Sequence, residues 1–294
     1  PGRGTAYAIL AEVYTWIAGY GQEPEYYALG IEAAGKVIGD PNYRLVASPE
    51  EVCTEVLAGN SAEGIFEVCY DDSRGEYKDF GSYIGGTVEK WPVLKGTTPA
   101  SRRKFFIRNG TVERLYTPED LRLQAYFADF FRMKEEPVSV TQGAAYIRMW
   151  REVEYYSGGI YDGTPRTLLA NDILIRLPDI LLLRAEMKAA TGDREGAVAD
   201  LDVVRRRAGV AGYSEAEGDL RRAIQLERDR ELLFQTGVRY FDYMRNHTYN
   251  LLKGGFRDLT ETDVAAGALF LPVSLDAMNN NPKVKQTAYW VGKF

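Results

Sequence analysis

A helix–turn–helix pattern constrains this chain more than any other feature: it occurs once at the start and again after residue 172, with a long stretch of different character between. The first copy reads "TAYAILAEVYTWIA" (5–18) and "EYYALGIEAAGKVI" (25–38); the second reads "IRLPDILLLRAEMKAATGD" (175–193) and "REGAVADLDVVRRRAG" (194–209). In the first helix Ala6, Leu10, Val13 and Ile17 recur at helical spacing and form the apolar stripe expected to pack, while Gly19 and Gly21 end the run. Ala11-Glu12 aligns with Ala185-Glu186, and Ala28, Ile31 and Ala34 align with Val198, Leu201 and Val204. Pro178 sits in the first turn of its helix, where proline is tolerated. Tetratricopeptide-like pairs of this kind bury their apolar faces only by stacking on one another. The expected fold is therefore mainly α, with helix pairs interrupted by a long irregular insertion that contains short strands.

The chain divides accordingly within a single domain: a helix pair at 1–40, a loop-rich insertion at 41–172, a second pair plus a long Glu/Arg-rich helix (217 to about 246) at 173–248, and an irregular segment at 249–294. In the insertion "GIFEVCY" (64–70) alternates Ile65, Glu67 and Cys69 against Phe66, Val68 and Tyr70, which reads as a strand. "DDSRGEYKDFGSYIGGTVEKWPVLKGTTPASR" has no clear period, yet its aromatic residues argue against disorder. Loops of that length inside a domain are commonly functional.

Several functions are excluded early. With 36 basic against 42 acidic residues, the chain lacks the electrostatic footprint of a nucleic-acid or anionic-membrane binder. Cys53 and Cys69 make one bridge at most, and with a single histidine, His247, no metal site is expected. His247 lies near a helix end, which suits capping or exposure. No phosphate-cradling glycine loop and no GxSxG elbow occurs, so no cofactor is expected. No apolar run is long enough to span a bilayer. The abrupt entry into a helix, without a charged leader or cleavage site, leads us to expect either a natural start elsewhere or a fragment.

The block "AIQLERDRELLFQTGVRYFDYMRN" (223–246) raises a physical question, because Glu227 and Glu231 share a helical face with Leu220, Ile224 and Phe234. Carboxylates on that face are at least partly buried and need partners, which Arg228, Arg230, Arg239 and Arg245 can supply. The catalytic alternative, a glycosidase carboxylate pair, requires a cleft with room for a sugar.

Taken in order, "AYAILAEVY", "GIFEV", "PEDLRLQAYF", "ILIRLPDILLLRAEM", "LDVVRRRAGV", the charged block and "LFLPVSLDAMNNNPKVKQ" resemble the C-terminal two thirds of the SusD/RagB family of outer-membrane nutrient-binding lipoproteins. The most specific parts are "ERDREL.F..G.R.FD..R" and the closing "LP...L..NP...Q". Gln235 departs from the pattern, standing where a glutamate is common. The resemblance implies a non-enzymatic protein at the cell surface that captures oligosaccharide or polysaccharide and passes it to a SusC-type TonB-dependent transporter. It also implies an outer-membrane lipid anchor, whose lipobox cysteine is absent from this chain, and an internal ion-pair scaffold of Glu227, Glu231, Arg228 and Arg239.

Sugar faces stack on exposed aromatic rings, with polar side chains meeting the hydroxyls. In the insertion the candidates are Trp91, Tyr77, Phe80 and Tyr83, with Arg74, Asp79 and Lys90 beside them, and Tyr156 and Tyr161, which flank Gly158-Gly159. Trp150 and "LRLQAYFADFFRM" read as core, and Asp120 with Arg122 as a structural pair. Two other readings stay open: a tetratricopeptide-type scaffold holding a peptide or protein, and a glycoside hydrolase.

Overall fold

The computed structural model describes residues 2–76, 106–163, 165–235, 238–252 and 258–293, and the fold is mainly helical. Helices α1 (Arg3–Gly19) and α2 (Tyr26–Ile38) form the first pair. Their crossing is made of small residues: Ala8, Ala11, Ala18, Ala33 and Ala34 are all buried. A Cβ on Gly30 would lie 2.3 Å from the Met187 sulfur, so this glycine is what lets α2 approach its neighbour.

Here the structure corrects the stripe expected from periodicity. Ala6 is exposed, Leu10 is 40% exposed and Val13 46%, while the opposite face, Gly4, Thr5, Ala8, Ala11, Thr15 and Ala18, is the buried one. Small side chains allow the closer helix approach and the denser contact, so they win the interior.

The neck of the insertion is a two-stranded antiparallel ladder between β1 (Gly64–Val68) and β4 (Asp172–Arg176), with Gly64 opposite Arg176 and Val68 opposite Asp172. Between them lie β2 (Val153–Tyr155) and β3 (Pro165–Leu168), paired with each other, and a helical turn α3 (Leu121–Tyr126). The insertion has its own core, in which Val52, Leu57, Tyr126, Phe127, Met149, Trp150 and Leu168 pack together. Leu123, Phe130 and Met133 are also buried, so "LRLQAYFADFFRM" serves in part as core, with Leu121 and Phe131 exposed.

The chain then returns to the stack through α4 (Leu177–Thr191), with Pro178 at its first turn, and α5 (Arg194–Arg207), capped by the Asp193 carboxylate on Gly196 N–H. Helix α2 packs on α4, and α6 (Leu220–Glu231) crosses α4 from the other side. Leu181, Ala185, Leu201, Val204 and Ile224 complete the main core.

The expected long helix ends at Glu231, and a separate α7 covers Val238–Arg245. The break has a local cause. Arg176 Nη2 donates to the Glu231 carbonyl at 2.5 Å, occupying the acceptor that the next helical N–H would use, and Gln235 N–H turns to Leu232 O instead. Phe234 follows with φ +58°, leaves the helical face and packs against the insertion core.

Candidate functional site

Of the aromatic residues expected to contact a ligand, Tyr156 and Tyr161 are the two that lie among the described residues, and both are exposed. They sit at the tip of the β2–β3 hairpin, 44% and 60% exposed, with ring centroids 5.7 Å apart and planes inclined by 41°. Ile160 between them is 91% exposed. Positive φ at Gly158, Gly159 and Gly163 makes the tight return possible. The return is held by Gly163 N–H donating to Tyr156 O at 2.9 Å and Gly158 N–H donating to the Asp162 carboxylate at 2.5 Å. The loop thus presents two rings and an apolar side chain to solvent from a closed backbone. Such a surface can stack on the C–H faces of sugars. Trp91, Tyr77, Phe80 and Tyr83 lie outside the described residues, whereas Trp150 is buried in the insertion core.

The charged block is an interior lattice of ion pairs. Glu227 and Glu231 are fully buried. Glu231 Oε1 accepts from Arg176 Nη1 at 2.7 Å and from Arg207 Nη2, and its Oε2 lies 3.3 Å from Arg122 Nη1. Glu227 Oε1 accepts from the same Arg122 Nη1 at 2.6 Å, and Asp120 takes the other side of that guanidinium at 2.9 and 2.8 Å. Glu63, just before β1, bridges Arg176 at 2.7 Å and Arg207 at 3.2 Å. The lattice therefore ties together the insertion neck, the insertion interior, the end of α5 and α6.

Arg228 and Arg239, expected within the same scaffold, belong to different groups. Arg228 binds Asp242 at 2.6 Å and Asp179 at 2.7 Å, and Arg239 binds Asp229 at 3.0 Å. Arg228 shares α6 with the glutamates but projects from another face, since i and i+1 positions on a helix diverge by about 100°, and Arg239 lies on α7, beyond the break. Of the arginines in the block only Arg230 reaches Glu227, at 3.2 Å. The partners from outside the block, Arg122, Arg176, Arg205 and Arg207, carried one sequence signal: Arg122 stands two residues from Asp120. Arg176, Arg205 and Arg207 had none, because their pairing depends on how β4 and α5 are brought to α6.

Burial alone would push the Glu231 carboxyl up, but the guanidiniums of Arg207, Arg176 and Arg122 outweigh it and hold the group at about 2. An acid held that low by three cations in a closed interior cannot protonate a leaving group, so this pair is unsuited to glycosidase chemistry. His247 is exposed, its ring stacked on Tyr20 with centroids 6.0 Å apart. Among the described residues no group of three His, Cys, Asp or Glu side chains could hold a metal ion, and no helix is long and apolar enough to cross a membrane.

With this geometry in view, the family model for the SusD family matches residues 62–290. The chain belongs to the SusD family. Solved structures of SusD-type proteins share the fold. A SusD homologue from Bacteroides thetaiotaomicron superposes with a TM-score of 0.82 at 23% identity, over 99% of this chain and 60% of that one. Surface glycan-binding protein A from Bacteroides uniformis gives 0.69 at 20% identity, over 95% and 60%. The B. thetaiotaomicron surface glycan-binding protein A in complex with laminarihexaose gives 0.67 at 21% identity, over 95% and 63%. The chain thus spans about three fifths of the length of these structures. No protein of curated function matches the sequence.

Proposed function

We propose that this SusD-family chain is part of a non-enzymatic glycan-binding protein that captures an oligosaccharide at the cell surface and passes it to a SusC-type TonB-dependent transporter in the outer membrane. The observation that carries the reading is the exposed Tyr156–Tyr161 pair on a closed loop at the end of the insertion, in a chain of this family. A relative of the same fold solved with laminarihexaose supports a sugar as ligand. The closed, ion-paired surroundings of Glu227 and Glu231, with no cleft for a sugar at them, favour binding over hydrolysis. Trp91, Tyr77, Phe80 and Tyr83 are further candidates for sugar contact, and a lipid anchor outside these residues would hold the protein at the membrane.

The test is a binding screen against neutral, acidic and host-type polysaccharides, with analysis of products, using the wild type, a Tyr156→Ala/Tyr161→Ala variant and a Trp91→Ala variant. Binding to one glycan class that the tyrosine variant weakens at least tenfold is the expected result. Failure to bind any sugar would overturn the reading, release of shorter sugars would overturn its non-enzymatic part, and undiminished binding by both variants would move the site elsewhere.

A further inference from the structure

The tip of the β2–β3 hairpin has little besides its own backbone to give it a shape. Every residue from Tyr155 to Gly163 is exposed, so burial does not fix this stretch. Gly158, Gly159 and Gly163 all have positive φ, and a backbone this rich in glycine is costly to order. Its form rests on hydrogen bonds made inside the loop. Gly163 N–H donates to Tyr156 O at 2.9 Å, and Asp162 N–H donates to Gly159 O at 3.4 Å, which is long for such a bond. The shortest of the three runs from Gly158 N–H to Asp162 Oδ1 at 2.5 Å, and bonds to a carboxylate are the stronger kind. It is the one of the three that uses a side chain, and it ties the residue two after Tyr156 to the residue next to Tyr161.

The setting of the two rings matters because of their spacing. A sugar held between them would need a contact of about 3.5–4.0 Å on each side, hence at least about 7 Å between the rings. The centroids are 5.7 Å apart, so there is no room between them. A sugar bound by this pair therefore lies on the outer faces of the rings, whose planes are inclined by 41°. That inclination decides which sugar surface meets both rings at once. Whatever fixes the loop backbone fixes the inclination.

We propose that Asp162 is a positioning residue for glycan binding: its carboxylate, bound to Gly158 N–H, holds Tyr156 and Tyr161 at a set spacing and inclination, and so governs both how tightly the pair binds and which sugar face it prefers. The inference rests on the reading of this hairpin as the sugar-binding surface. Without the bond the two glycines are free until a ligand arrives, and the cost of ordering them is subtracted from the affinity.

The test measures affinity on gels carrying laminarin, polygalacturonate or mucin glycans for the wild type, Asp162→Ala, Asp162→Asn, Tyr156→Ala/Tyr161→Ala and the triple variant with Asp162→Ala added. Asp162→Ala is expected to bind about three- to tenfold more weakly, the effect of one lost hydrogen bond, with a melting temperature within about 1 °C of the wild type. Asp162→Asn keeps an acceptor oxygen and should recover most of that loss. In the tyrosine variant, adding Asp162→Ala should cost nothing more, because Asp162 acts through the rings. A further loss in the triple variant would mean that Asp162 touches the sugar itself, and a melting temperature lowered by several degrees would make its role general stability; either overturns the proposal. Undiminished binding by Asp162→Ala, where the tyrosine variant is weakened, overturns this inference alone. Failure of the wild type to bind any of the three overturns the reading beneath it as well.

Discussion

Replacing Glu231 with glutamine keeps the shape of the side chain and removes one charge from the centre of the ion-pair lattice. Arg176, Arg207 and Arg122 would then face an amide in which one of two acceptors has become a donor, inside a region closed to water. Breaking a buried ion pair from one side costs about 3–5 kcal/mol. The pKa gives an independent figure: a carboxyl held at about 2 rather than 4.5 contributes about 3 kcal/mol at pH 7. The sign follows from the depressed folded-state value. This stability is fully present above pH 4.5 and is lost as the pH falls toward 2. At roughly 2–3 °C per kcal/mol for a chain of this size, Glu231→Gln should lower the melting temperature by roughly 6–15 °C at pH 7. Scanning calorimetry from pH 2 to 7 would show the wild type losing its advantage over the variant below pH 4.5. A drop under about 2 °C at pH 7, or two parallel stability–pH curves, would refute the claim that three guanidiniums stabilise this charge.

Other outcomes follow from single sites. Tyr156→Ala/Tyr161→Ala should leave the melting temperature within about 1 °C of the wild type, because exposed side chains away from special backbone contribute little, while the same pair weakens sugar binding in the screen above. Gly59→Ala should destabilise by about 1–3 kcal/mol in urea unfolding, since Gly59 has φ +111° and a Cβ there would fall 2.0 Å from the Asn171 amide nitrogen. Alkylation of the native protein at pH 8 should modify Cys69, which is exposed, and spare Cys53, whose thiol burial pushes up to about 12. Modification of both at equal rates would mean that the insertion core opens on the timescale of the reaction.

The parts of the fold legible in the sequence were those set by local pattern. The helix pairs, the strand at Gly64–Val68 and the Asp120–Arg122 pair needed only near neighbours, and the burial of Glu227 and Glu231 followed from their spacing to Leu220 and Ile224. What periodicity could not decide was which of two competing faces a helix buries. In α1 the large apolar stripe and the small-residue stripe both repeat at helical spacing, and only the approach of α2 selects the small one. Most partners of the glutamates were illegible for a related reason: Arg122, Arg176 and Arg207 come from three separate elements, and of the arginines adjacent in sequence only Arg230 reaches one of the two. For the candidate site, the Gly158-Gly159 pair signalled a turn that would expose Tyr156 and Tyr161, whereas the Trp91 group lies outside the described residues.

The cost of keeping so many charges out of water becomes intelligible through what they connect. A hydrophobic core of equal volume would stabilise the stack as well or better, because desolvating ions is expensive. Apolar packing, however, tolerates small shifts of one element against another, whereas a guanidinium shared between carboxylates from different elements has few alternative geometries. Arg176 at the end of β4 binds Glu63 at the other side of the insertion neck and Glu231 of α6, and Arg122 inside the insertion binds Glu227 and Glu231 as well. Both routes into the insertion are thereby referenced to one turn of one helix. The hairpin that carries Tyr156 and Tyr161 is built on this anchored base, so its sequence can vary while the base stays in register with the stack. On this argument Arg122→Met, which removes the guanidinium but keeps the stem, should alter protease sensitivity in the insertion at temperatures where the helix stack is still folded. Simultaneous loss of both would show that the lattice serves overall stability and gives the insertion no separate anchorage.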